Sequence, residues 1–119
     1  MHFLKRHDAP AGDSGRVVLR LPGEVTHRNT ERVCVKVRAL LRTYRPEVLE
    51  FDLRDVTHLS REGAAVFFRA LFMARPYGTR IIATHAGSQP LGTLRKLGLD
   101  RLVDVYTGSG PPTSGEGGQ

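Results

Sequence analysis

VLEFDLRDVTHLSREGAAVFF, residues 48–68, decides how the rest of the chain is read. Its first six residues, 48–53, are a short apolar run rich in strand formers, the pattern of a parallel strand covered on both faces. The loop 54–60 follows. From 62 to about 75 the chain then carries almost no polar side chain. A helix apolar nearly all round is either buried or sits at an interface. Phe67, Phe68 and Phe72 cannot all face one sheet from one helix. The exposed remainder marks association, and a second helix or the mate in a homodimer would cover it.

The same grammar continues on both sides. Pro76, Tyr77 and Gly78 break the chain before TRIIATH (79–85), a second strand of the parallel type. Ser88 is placed to cap a third helix with Pro90 in its first turn. Leu91, Leu94 and Leu97 space its apolar side, Gly98 supplies a left-handed stop, and LVDVY (102–106) makes a last short strand. Toward the N-terminus, residues 1–8 are expected to form a short strand and AGDSG (11–15) a turn. RVVLRLPGEV (16–25) is a strand that stops at Pro22 and Gly23. Asn29 or Thr30 can cap the following helix, with Glu31 at the positive end of its dipole. Val33, Val37, Leu40, Leu41 and Tyr44 recur at helical spacing until Pro46 ends it. Alternating strands and helices of this kind argue for βαβ units with right-handed crossovers. The expected fold class is α/β, one domain with a mostly parallel central sheet of about five strands and helices packed on it.

Length and composition agree. The 119 residues suit a single domain, with 39% hydrophobic and 25% charged residues. The domain is expected over 1–106. The stretch 107–119 is Gly, Pro, Ser and Thr with little apolar content, and is read as a disordered tail. No apolar run approaches the length needed to span a bilayer, so no membrane association is expected. The N-terminal MHFLKRHDAP lacks the apolar region of a secretory signal, which makes the cytoplasm the expected compartment. The lone Cys34, within VCVKV, reads as a small buried hydrophobe. The net charge of +6 rests on 18 basic residues scattered over every expected element, with acids among them, so no nucleic-acid-binding face is expected. Five histidines show no ligand spacing, and neither a metal nor any other cofactor is expected.

Three pieces of the sequence resemble the STAS family of anti-sigma-factor antagonists. In that family a strand ending in Asp-Leu leads through a short loop and a hydrophobic-Asp-Ser-Ser-Gly turn into an apolar helix. Here Asp52 and Leu53 close the strand, Val56 and Leu59 are the loop's apolar anchors, and Gly63 stands at the family glycine. LPGEV (21–25) is similar to the family's Gly-Glu loop. LRKLGLDRL (94–102) is similar to its last helix and Gly-Leu turn. The resemblance covers roughly 16–106.

The departures fall on the residues that carry phosphorylation in the family. The Asp-Ser-Ser triplet is Ser60-Arg61-Glu62 here, so Arg61 holds the usual phosphoacceptor position. Thr26 replaces the acidic residue that follows the Gly-Glu loop. A longer member's final amphipathic helix has no counterpart after Tyr106. The resemblance implies a protein that binds an anti-sigma factor of the serine-kinase type and so modulates sigma-dependent transcription. The phosphoserine switch, in which added negative charge disrupts the interface, is expected to be missing. Ser60 is the remaining phosphoacceptor candidate, though a serine before a helix more often serves as its cap. The expected contact set is Gly23, Glu24, Val25, Thr26, Thr57, His58, Ser60, Arg61, Glu62 and Gly63. An alternative is a small-ligand or nucleotide-sensing module of the same fold, with anions held at a helix start near Arg61. No nucleophile paired with a base and no cofactor motif is present, so an enzyme is not expected.

Overall fold

The computed structural model describes residues 10–11 and 15–111, which form seven strands and three helices. In chain order these are β1 (Pro10–Ala11), β2 (Arg16–Arg20), β3 (Glu24–Val25), α1 (Thr30–Tyr44), β4 (Val48–Asp52), β5 (His58–Leu59), α2 (Ala65–Ala74), β6 (Arg80–Thr84), α3 (Ser88–Lys96) and β7 (Asp104–Val105). Short 3-10 turns at Arg75–Tyr77 and Leu99–Arg101 follow α2 and α3.

The main sheet has the order β1-β2-β4-β6-β7. β1 is antiparallel to β2, and every other pairing is parallel. β4 sits in the middle, as its apolar run requires. Each crossover steps to the next strand in the same direction, and right-handed crossovers of that kind put α1, α2 and α3 on one side of the sheet. Side chains that alternate toward this side form one buried cluster: Val17 and Leu19 from β2, Leu49 and Phe51 from β4, Ile81 and Ala83 from β6. Val33, Val37, Leu40 and Leu41 of α1 and Phe67 and Ala70 of α2 complete it. Phe51 and Phe67 meet with ring centroids 4.9 Å apart. Cys34 is fully buried here, and burial pushes its thiol pKa up.

Among the described residues the other side of the sheet carries no helix, and beside the buried Ile82 it holds a set of buried polar groups. Arg16, Glu50 and Thr84 project there from three adjacent strands and are all buried. The Glu50 carboxylate accepts from Arg16 Nε at 2.8 Å and from the Thr84 hydroxyl at 2.5 Å. The remaining guanidinium nitrogens of Arg16 donate to the carbonyls of Ser109 (3.2 Å) and Pro111 (2.7 Å). His85 N donates to Gly108 O at 2.9 Å. Residues 107–111 therefore lie across this face. Composition alone places them in the tail, because it counts the entropy cost of ordering them but not the donors that Arg16 offers. Residues 112–119 and the strand expected at 1–8 lie outside the described residues.

Local boundaries differ from expectation in four places. The final strand is confined to Asp104–Val105, since Leu102 N and Val103 N both turn back to Leu99 O. α2 begins at Ala65, because the residues before it form a tighter turn whose carbonyls at Glu62, Gly63 and Ala64 accept from the third residue ahead. Gly87, not Ser88, occupies the cap position of α3, with Ser88 already helical. Asn29 does stand before α1, but its side chain caps nothing in the helix. Pro46 lies just beyond the end of α1, where Arg45 turns left-handed (φ 45°) and donates to Leu41 O. No described helix is long and apolar enough to cross a membrane.

Candidate functional site

Two loops leave the same edge of the sheet, one after β2 and one after β4, and the small parallel pair β3–β5 ties them together. The Gly23 carbonyl accepts from Thr57 N (2.8 Å), His58 N (3.2 Å) and the Thr57 hydroxyl (3.1 Å). Ser60 N donates to Val25 O at 3.0 Å. Of the expected contact residues, Gly23, Val25, Thr57, His58, Ser60 and Gly63 are thus brought into one unit.

Gly63 makes the junction close. A Cβ added there would stand 2.0 Å from Val25 O and 2.9 Å from Thr26 N, so no other residue fits without separating the loops. The resemblance marked this glycine, and the contact supplies its physical cause. Glu24 and Thr26 are held from the other side by Asn29. The Asn29 amide nitrogen donates to Glu24 O (2.8 Å) and its oxygen accepts from Thr26 N (3.0 Å). The asparagine thus serves the loop behind it in place of the helix ahead.

The Ser60 hydroxyl accepts from Gly63 N at 2.9 Å, and Ser60 O accepts from Ala64 N, so this serine caps the turn leading into α2. Arg61 and Glu62 are exposed beside it, as are Glu24, Thr57 and His58. The exposed rim mixes both charges around a half-buried serine. Among the described residues no cluster of His, Cys, Asp or Glu could hold a metal ion.

One contributor escaped the sequence reading. Gln89 and Thr93 of α3 hold the outer edge of β5: Leu59 N donates to the Gln89 side-chain oxygen at 2.7 Å. Leu59 O accepts from the Gln89 amide (3.1 Å) and the Thr93 hydroxyl (2.9 Å). Nothing in a lone Gln signals a partner thirty positions away. Asp52 is explained locally, accepting from Arg54 N and Arg54 Nε. Farther along α2, Phe68 and Phe72 are 44% and 72% exposed, an apolar stripe on the helix surface. Arg69 on the same helix reaches back to Glu31 of α1 at 2.6 Å, and that hydrogen bond and charge hold the Glu31 carboxyl below its usual pKa.

A mostly parallel sheet with the described helices on one side, and two loops pinned together ahead of an apolar helix, define a STAS-type domain. A family described as "Mlab, STAS domain" matches residues 9–104, and the chain belongs to it. No curated protein matches the sequence. Solved structures do resemble the fold. A Thermotoga maritima protein assigned as an anti-sigma factor antagonist superimposes with a TM-score of 0.69 at 18% identity, covering 82% of each chain. The anti-sigma factor antagonist SpoIIAA in its unphosphorylated form gives 0.68 at 15%, over 80% of this chain and 83% of its own. A sulfate transporter family protein from Wolinella succinogenes gives 0.70 at 16%, over 88% and 89%. At such identities the likeness is one of fold.

Proposed function

We propose that this chain is a regulatory binding module of the anti-sigma factor antagonist type. It docks an anti-sigma factor of the serine-kinase type on the rim formed by Gly23 to Thr26, Thr57, His58 and Ser60 to Gly63. It modulates sigma-dependent transcription without a phosphoserine switch at position 61. The observation that carries the reading is the Gly63–Val25 contact, which fuses two loops into one preorganised surface with Arg61 exposed on it. Arg61 carries no hydroxyl, so it cannot take the phosphoester that a serine at this position would. The Ser60 hydroxyl oxygen already accepts from Gly63 N, so turning it out to receive a phosphoryl group from a kinase would uncap the turn.

Calorimetric titration of the full chain against an anti-sigma serine kinase from the same organism tests this. Saturable binding, lost in Arg61→Glu and unchanged after incubation of the wild-type chain with kinase and ATP, is the expected result. Absence of binding overturns the partner. Phosphate on Ser60 with loss of binding overturns the missing switch.

A further inference from the structure

Behind the fused loops, where β2 and β4 end, the chain leaves a hollow of about 400 Å³. That is within the size range of small-molecule sites, and the carboxyl end of parallel strands is where α/β sheets hold ligands. Its floor is apolar and buried: Leu19, Leu21 and Val33. Its walls are cationic. Arg20 reaches it from the end of β2, and Arg32 and Lys36, one helical turn apart, reach it from α1. The single carboxylate is Asp55, which pairs with Arg20 at 3.1 Å and is half-exposed. Among the described residues Arg32 and Lys36 make no ion pair. The first turn of α1 adds the positive end of its dipole.

We infer that this hollow binds a small organic phosphate: a phosphoryl dianion between Arg20, Arg32 and Lys36, with an apolar body on Leu21 and Val33. Three cations against one carboxylate leave two positive charges for a dianion. The apolar floor gives an organic body a surface to lie against that a bare inorganic ion would not use. Asp55 is the internal competitor, because it occupies Arg20 when no ligand does. The site is separate from the turn at Arg61, and binding here stands or falls independently of the partner proposed above.

The probe is phenyl phosphate, titrated into the full chain and followed by two-dimensional amide NMR, with inorganic phosphate and phenol as its separate halves. Saturable shifts at Leu21, Val33 and their neighbours are expected with phenyl phosphate, with weaker binding of each half. Arg32→Gln or Lys36→Gln should each weaken binding about tenfold, the scale of one charge-assisted hydrogen bond. Asp55→Asn should tighten it about threefold by freeing Arg20 from a surface pair. All three positions are at the surface, and unchanged spectra away from the hollow verify the fold. No saturable shift, shifts centred on 60–63, or affinity indifferent to these substitutions would overturn the site.

Discussion

The two sides of the main sheet are built on opposite terms. On one side, three helices cover six strand residues that are all apolar, and the cluster is continuous from Val17 to Ala83. On the other, no described helix lies above Arg16, Glu50 and Thr84, and these three are held by an ion pair, a hydroxyl and the carbonyls of 109 and 111. The first side is held by area removed from water, which is large and tolerant of detail. The second is held by complete pairing: an unpaired buried charge is far more costly than a missing methylene. Crossovers that all step one way leave one face bare, and the chain covers it with polar groups that satisfy one another.

The largest effect expected is on the helix-covered side. Phe67→Ala should cost about 3–5 kcal/mol in denaturant unfolding, since it empties a fully buried ring site against Phe51. On the bare side, Glu50→Ala should cost about 3 kcal/mol by leaving Arg16 buried without its partner. The double change Arg16→Met with Glu50→Leu should cost much less than Glu50→Ala, and an equal cost would show that the polar pairing is not what matters there. Smaller again is Gly110→Ala, about 1 kcal/mol, because φ is +85° and the new Cβ would stand 2.8 Å from Thr84 Cγ2. A truncation after Tyr106 should exceed it, since it removes both carbonyls from Arg16. The smallest effect lies at the solvent edge of the helical side. The Glu31 carboxyl, followed by NMR, should titrate below its ordinary value and return to it in Arg69→Ala. Because its folded pKa is the lower one, its contribution to stability is present above the unfolded pKa. That contribution is lost as pH falls through the folded value.

How much of this was legible depended on whether the signal was local. The period of Val33, Val37, Leu40 and Leu41 and the unbroken run at 48–53 placed α1 and β4, because burial on one or both faces is written into consecutive residues. Gly63 was marked by resemblance alone, and the backbone of Val25 that demands it is invisible in the sequence. Asn29 was read as a cap because propensity does not say which free N–H groups an amide will serve, those ahead or those behind. The covering segment at 107–111 was missed for a related reason. Its own residues are poor in apolar surface, and the groups that hold it belong to Arg16 and His85, more than twenty positions away in each case. Phe68 and Phe72 were legible, since one helix cannot bury three phenylalanines on one sheet, and Phe67 alone is enclosed.

The Gln89 side chain has a further consequence. A two-stranded sheet at the rim of a binding surface would ordinarily invite a visiting peptide to pair with its free edge. Here one carboxamide imitates that visitor, taking both the N–H and the carbonyl of Leu59. The edge of β5 at Leu59 is occupied from within, so its backbone groups are not free to pair with an added strand.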